Sequence, residues 1–421
     1  MSYKRFSFFI FPILFLSTIW LFNGCGDKEE LPIPISCTTL VYMIADNDIM
    51  DSEVEYTISQ LKAGTKRSGG RVAVYVDRKG ESPRLFGISQ KGEEQLTKTY
   101  VEVNSADASI LAEVIRDAKT LFPAEKFGLV LWSHGMGWLP YGHSNTQNRT
   151  LRQSTVFPKV RYVGPDQDDG TNTSPRVAEI VDLASYLPDN TAEYIWFDAC
   201  LMGNIETLYE LRNKCRYFIV SPTEVLAESG YGASGIPYSK VLPFMSGDKE
   251  ALTNACRHYI SHYRNMKHSI LRSASIALVD ARELDRLYDA CRAVLQGSLP
   301  SLEKTGMTNL QAYHTPNVPN VFFDMREIIK KTGETSAAYR PFEEQLAKTV
   351  LYKDATDKMM DELLIDPLKY SGLSMYVPSH KWKNTNEYHY YFENLEWSGI
   401  YDLPLNPQEV TAAQRLSQKS F

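Results

Sequence analysis

FGLVLWSHGMGW, residues Phe127 to Trp138, is the stretch on which the fold turns. Phe127–Ser133 is a short apolar run rich in β-branched and aromatic residues. It is too short for a helix and ends in glycines, so it reads as a buried strand running into a tight turn. Working outward, Thr39–Ala45 (TLVYMIA), Arg71–Asp77 (RVAVYVD), Glu193–Phe197 (EYIWF) and Tyr217–Ser221 (YFIVS) have the same character. Ser275–Asp280 (SIALVD) and Leu373–Pro378 (LSMYVP) are later candidates. Between the first five runs lie stretches of helical period. Asp51–Leu61 carries Val54, Ile58 and Leu61 on one face. Ala108–Leu121 carries Ile110, Leu111, Val114, Ile115 and Ala118. Asn204–Leu211 carries Ile205, Leu208 and Leu211. Strand–helix alternation of this kind predicts an α/β sandwich with a mainly parallel central sheet.

Tyr141–Pro175 breaks the pattern. It is polar, contains Gly and Pro, and has no sustained period. It reads as a long insertion, residues 141–175, in a core that spans 38–240. From 241 to 421 the sequence is mostly helical, with long segments at Lys249–Arg264 and Ala281–Leu295. This part is expected to return Leu373–Pro378 to the core sheet as a strand.

The chain has 421 residues, 43% hydrophobic and 23% charged, which is ordinary for a globular protein and excludes a disordered, collagen-like or multi-span membrane chain. Its 45 basic and 51 acidic residues give a net charge of −6. That is no electrostatic footprint for nucleic acid, and nucleic-acid binding is not expected.

The N-terminus reads as an address. Lys4 and Arg5 precede the nearly continuous apolar run Phe6–Phe22, which fits a secretory signal better than a membrane span of about 20 residues. Asn23-Gly24-Cys25 then resembles a bacterial lipobox, in which the cysteine becomes the lipidated first residue. Phe22 and Asn23 depart from the usual pattern. On this reading residues 1–24 are removed, residues 25–37 form a linker, and loss of Lys4 and Arg5 leaves a charge of −8. The expected location is the outer membrane or surface of a Gram-negative cell, held by a lipid on Cys25. Five other cysteines remain: Cys37, Cys200, Cys215, Cys256 and Cys291. The odd count points to a functional thiol without saying which.

Two strand ends carry the chemistry. In Trp132–Trp138 a strand runs into His134-Gly135, where glycine lets the backbone approach a ligand and frees an N–H for an oxyanion. In Trp196–Glu206 (WFDACLMGNIE) a strand ends in Asp198-Ala199-Cys200 and passes to a helix capped around Asn204. Reacting groups in open α/β sheets gather beyond the carboxyl ends of the strands. A thiol beside a histidine and a helix N-terminus forms a thiolate near neutral pH.

Together these segments resemble the clostripain family of cysteine peptidases, relatives of caspases, gingipains and legumain. The resemblance extends to Tyr42–Asp48 (YMIADND), Ser221–Glu224, Gly235–Tyr238 (GIPY) and Gly372–Pro378 (GLSMYVP). It implies a caspase-like α/β/α sandwich and a cysteine endopeptidase. Cys200 is then the nucleophile and His134 its partner, with no strict third member. The N–H groups of Gly135 and Cys200 form the oxyanion hole. Asp198 lines the S1 pocket and selects Arg or Lys at P1, and Glu224 sits at its rim. The resemblance also implies a zymogen cut between histidine and cysteine. Arg149, Arg152, Lys159 and Arg161 in the insertion are the candidate sites for self-cleavage. Some relatives respond to calcium. Asp166, Asp168 and Asp169 are acidic but lack the Gly and Glu positions of an EF-hand, so no metal or cofactor is expected to be required. Asp46, Asn47 and Asp48 shape the pocket rim or make a turn.

Other motifs fail. His258 and His262 are four apart, but Tyr259 stands where a zinc peptidase needs Glu. Nucleotide-binding glycine motifs and the serine-hydrolase elbow are absent. The expected partners are peptides or proteins with Arg or Lys at P1, and the membrane through the lipid; the oligomeric state is not legible. Two other classes stay open: a catalytically idle caspase-like surface module that binds peptides or proteins, and a cysteine hydrolase of non-peptide amides.

Overall fold

The computed structural model describes residues 35–46, 48–140, 178–295, 309–313, 321–378 and 385–401. The signal and lipidation segment with Cys25, and the insertion with Arg149, Arg152, Lys159, Arg161 and the Asp166–Asp169 cluster, lie outside them.

All five runs first read as strands are strands, and they form the middle of one sheet. In chain order the sheet strands are β1 (Cys37–Ala45), β2 (Arg71–Arg78), β3 (Glu81–Ile88), β4 (Glu94–Thr99), β5 (Lys126–Trp132), β6 (Ala192–Asp198), β7 (Cys215–Val220), β8 (Ser275–Asp280) and β9 (Val350–Ala355). Their spatial order is β9-β8-β7-β6-β5-β1-β2-β3-β4. The central five, β7-β6-β5-β1-β2, are parallel. The two strands at each edge are antiparallel. The central strands are apolar on both faces because helices cover both, as parallel sheets require. The outermost β4, EQLTKT, is mostly exposed, and its charged and polar side chains suit an unpaired edge.

The helices are α1 (Asp48–Thr65), α2 (Ala108–Leu121), α3 (Ile180–Tyr186), α4 (Ile205–Glu210), α5 (Lys249–Arg264), α6 (Leu284–Leu295), α7 (Met325–Gly333), α8 (Tyr339–Thr349) and α9 (Asn386–Asn394). Helices α1 and α5 pack together through the single turn Tyr238–Val241. In the other layer α2, α3, α4 and α6 pack in succession, and α7 and α8 lie on α6. The predicted faces are buried, Val54, Ile58 and Leu61 on α1 and Leu111, Val114, Ile115 and Ala118 on α2, except that Ile110 at the edge of the α2 face is only half-buried. Asp107 starts α2 by accepting the Ser109 N–H, relieving one of the orphan donors of a helix end.

Two expectations need correction. Leu373–Pro378 does not join the sheet. Its Ser374–Met375 pairs with Phe323–Asp324 in a separate two-stranded ladder, and Ser374 also bridges to Asn204. The strands returned to the sheet are β8, one of the later candidates, and β9, whose partly polar run VLYKDA hides its strand character in the sequence. Nor does the core end at residue 240, because β8 and β9 complete the sheet from the C-terminal part. The β3–β4 hairpin was not foreseen either, since Glu94–Thr99 has no buried face to give it a pattern.

Candidate active site

The strand register brings the two chemical turns together. β5 and β6 are adjacent and parallel, with Trp132 opposite Asp198. His134 lies two residues past the first of these and Cys200 two past the second. Both turns therefore leave the sheet side by side at its carboxyl edge. The backbones are close. A Cβ built on Gly135 would lie 2.4 Å from the carbonyl oxygen of Cys200 and 3.0 Å from the Ala199 Cβ, so no larger residue fits between the turns. Gly137 adopts φ +63°, and a Cβ there would lie 2.3 Å from the Asn204 amide nitrogen.

Asn204 is the cap the sequence suggested. It accepts the Thr207 N–H at 2.9 Å, and its side-chain amide donates to the Leu201 carbonyl at 2.8 Å. The turn between nucleophile and helix is forced: Leu201 has φ +58°, a left-handed conformation costly for a branched, non-glycine side chain. It is held there from outside, because the Leu201 N–H donates to the Thr223 carbonyl at 3.0 Å and the Gly203 N–H to the Ser221 carbonyl at 2.8 Å. The Ser221–Val225 segment that leaves β7 thus fixes the turn. Its own conformation is set by the buried hydroxyls of Ser221, Thr223 and Ser275, which bond one another at 2.7–3.2 Å.

Cys200 is 1% exposed, while His134 is half-buried. The Val225 N–H donates to the Cys200 sulfur at 3.1 Å, and the thiol in turn donates to the Val225 carbonyl at 3.6 Å, so the Val225 backbone holds the sulfur from both groups. The other four described cysteines are also free and buried. Burial pushes the Cys37 thiol up to about 11 and also raises those of Cys215, Cys256 and Cys291, so all four stay protonated and inert at neutral pH. With no pairing among these five, cysteine parity singles out none of them.

Asp198 is buried, and it is engaged. Its carboxylate accepts the Ile236 N–H at 3.2 Å and the Tyr238 hydroxyl at 3.0 Å. This gives a role to the GIPY segment, whose motif is visible in sequence but whose target is not. Tyr238 and Val225 are the site residues that sequence reasoning missed. Glu224 is buried on the segment between Thr223, which pins Leu201, and Val225, which faces the sulfur. Asp46, just past β1, is a buried carboxylate whose two oxygens have no hydrogen-bond partner among the described residues. No group of three or more His, Cys, Asp or Glu residues suited to a metal occurs among the described residues, and no described helix is long and apolar enough to cross a membrane. A polar groove of about 650 Å³ lies at the opposite, amino edge of the sheet, lined in part by Lys126, Glu193, Arg212 and Arg216. It is remote from both turns.

Comparison with known proteins agrees with this geometry. The model of the clostripain family matches residues 41–403. The fold resembles that of an inactive zymogen C11 protease from Parabacteroides distasonis, with a TM-score of 0.70 and 28% identity over 88% of this chain and 99% of that one. It equally resembles a secreted C11 cysteine protease from Bacteroides thetaiotaomicron, solved with an irreversible peptide inhibitor, with a TM-score of 0.70 and 26% identity over 87% and 99% of the two chains. No curated protein matches the chain. The mainly parallel sheet between two helical layers is thus the caspase-like α/β/α sandwich, and the protein is a cysteine peptidase belonging to the clostripain family.

Proposed function

We propose that the protein is an exported endopeptidase that cuts after Arg or Lys with Cys200 as nucleophile and His134 as its acid–base partner. The observation that carries this reading is the contact between the two turns: Gly135 abuts the Cys200 carbonyl, and Trp132, two residues before His134, pairs with Asp198, two before Cys200. The Cys200 thiolate attacks the scissile carbonyl. A carbon–sulfur bond forms, and the carbonyl electrons move onto oxygen, where the N–H groups of Gly135 and Cys200 receive them. Collapse breaks the carbon–nitrogen bond, and His134 gives its proton to the departing amine. Water then hydrolyses the thioester and restores the thiol.

Asp198 supplies the basic preference. A carboxylate at this place favours a guanidinium or ammonium at P1, with bidentate geometry favouring Arg. Ile236 and Tyr238 orient the carboxylate, and Glu224 adds negative charge at the rim.

The chain is made as a precursor that cuts itself within 141–175, after Arg149, Arg152, Lys159 or Arg161. The almost complete burial of Cys200 in the uncut chain supports this, as does the likeness to a relative described as an inactive zymogen. Export with a lipid on Cys25 rests on the N-terminal sequence and on the likeness to a secreted relative. The reading is tested with Arg- and Lys-ended fluorogenic peptides and an Arg-directed covalent inhibitor. Turnover and labelling are both expected to vanish in Cys200→Ala. Wild-type protein that turns over neither peptide after processing refutes the specificity, and labelling that survives in Cys200→Ala refutes the nucleophile.

A further inference from the structure

Behind the two turns lies a buried carboxyl that the chemistry above does not use. Glu206 sits in the first turn of α4, six residues after the nucleophile, and is fully buried. One of its oxygens accepts the Tyr376 N–H at 2.7 Å. Two residues earlier the Ser374 N–H donates to the Gly203 carbonyl at 2.8 Å, and Asn204 and Ser374 form a parallel bridge. The segment 374–376 therefore runs beside the nucleophile turn as a short ladder. At Tyr376 the ladder continues with the Glu206 side chain, rather than a backbone carbonyl, as the acceptor.

Tyr376 in turn reaches the histidine side. Its ring lies 5.0 Å from that of Trp138, which closes the His134–Trp138 turn, and Trp138 also meets Tyr391 at 5.3 Å. The Tyr401 hydroxyl donates to the Tyr376 carbonyl at 2.8 Å, so the backbone of Tyr376 is held from both sides. We propose that Glu206 is a positioning residue for the peptidase: by fixing Tyr376 under Trp138, its side chain keeps the histidine turn in register with the nucleophile turn.

Neutrality of the Glu206 carboxyl follows from its surroundings. Tyr376, Tyr391 of α9 and Tyr401 face the carboxyl, Glu210 stands one turn further along α4, and Glu206 makes no ion pair among the described residues. Burial pushes its pKa up to about 8, with Glu210 adding to the effect and the Tyr376 N–H opposing it. Above that pH an unpaired charge arises among aromatic rings, which is relieved only by moving Tyr376 or admitting water.

The inference deepens the proposed function and rests on it. The test uses the processed enzyme, an Arg-ended fluorogenic peptide, and Glu206→Ala and Glu206→Gln. Glutamine keeps an oxygen for the Tyr376 N–H and never ionises. Glu206→Ala is expected to lower kcat by about tenfold or more with KM within about twofold, because a displaced turn costs rate rather than ground-state binding. Glu206→Gln is expected to keep the neutral-pH kcat and to lose the part of the alkaline decline that wild type shows from about pH 8. A folded Glu206→Ala with wild-type kcat overturns the proposal, as does a Glu206→Gln as impaired as the alanine variant. If Glu206→Ala does not fold, an alkaline limb identical in Glu206→Gln and wild type overturns it. Should the wild type cleave neither Arg nor Lys peptides, the specificity fails by itself. The Glu206 comparison then runs on the rate of Cys200 alkylation by iodoacetamide, which needs no substrate.

Discussion

Gly135→Ala is the sharpest perturbation of the site. The new Cβ would lie 2.4 Å from the Cys200 carbonyl oxygen and 2.9 Å from the Met202 sulfur, whereas ordinary contact begins near 3.4 Å. The sulfur belongs to a flexible side chain and can move. The carbonyl is backbone, in a turn pinned by Thr223, Ser221 and Asn204. The shortfall of about 1 Å must therefore appear as separation of the two turns. A misplacement of that size in a reacting site costs about 100-fold in rate, or about 2.7 kcal/mol of transition-state stabilisation. Forcing a methyl into packed backbone also costs about 1–3 kcal/mol of stability. The assay is kcat/KM on an Arg-ended fluorogenic peptide, read beside the thermal midpoint. Gly230→Ala is the control, because a Cβ there meets nothing within 4 Å and its activity is expected to be unchanged. Gly135→Ala enzyme within about threefold of wild type, with an unshifted midpoint, would refute the account of how the turns meet.

Asp198→Asn is expected to lower kcat/KM for Arg and Lys peptides by about 10- to 100-fold, the worth of one charge-assisted hydrogen bond; an unchanged preference removes Asp198 from the pocket. In the uncut chain Cys200 is expected to resist alkylation and to react readily after processing, as followed by intact mass. Cys200→Ala should stay whole on a gel where wild type gives two fragments, and so should a chain in which all four basic residues Arg149, Arg152, Lys159 and Arg161 are replaced by Gln. Burial pushes Asp324 up to about 6, although Tyr313, Ser371 and Glu327 all donate to it. The unfolded value is about 3.9, so the folded state favours the protonated form. Its contribution is present below about pH 4 and is lost as pH rises through 6. The gap in thermal midpoint between wild type and Asp324→Asn should therefore narrow from pH 4 to pH 7.

The strands were legible where burial on both faces makes a run continuously apolar, as in FGLVLW and VYMIA. They were illegible at the edges, where β4 and β9 mix polar and apolar residues because one side meets solvent. Leu373–Pro378 misled for a related reason. It is buried, but against the Asn204 turn rather than in the sheet, and burial alone does not say which neighbour supplies it.

The sequence by itself determined the candidate chemistry: a His-Gly turn and an Asp-Ala-Cys turn at strand ends, and the asparagine that caps the next helix. These are local, because a strand end, a turn and a cap are each fixed by a few consecutive residues. Only the tertiary structure decided which groups serve them. Val225 donates to the sulfur across 25 residues, Tyr238 reaches Asp198 across 40, and Tyr376 meets Glu206 across 170. Such partners are chosen by strand order and by the packing of separate segments, and no spacing along the chain encodes them.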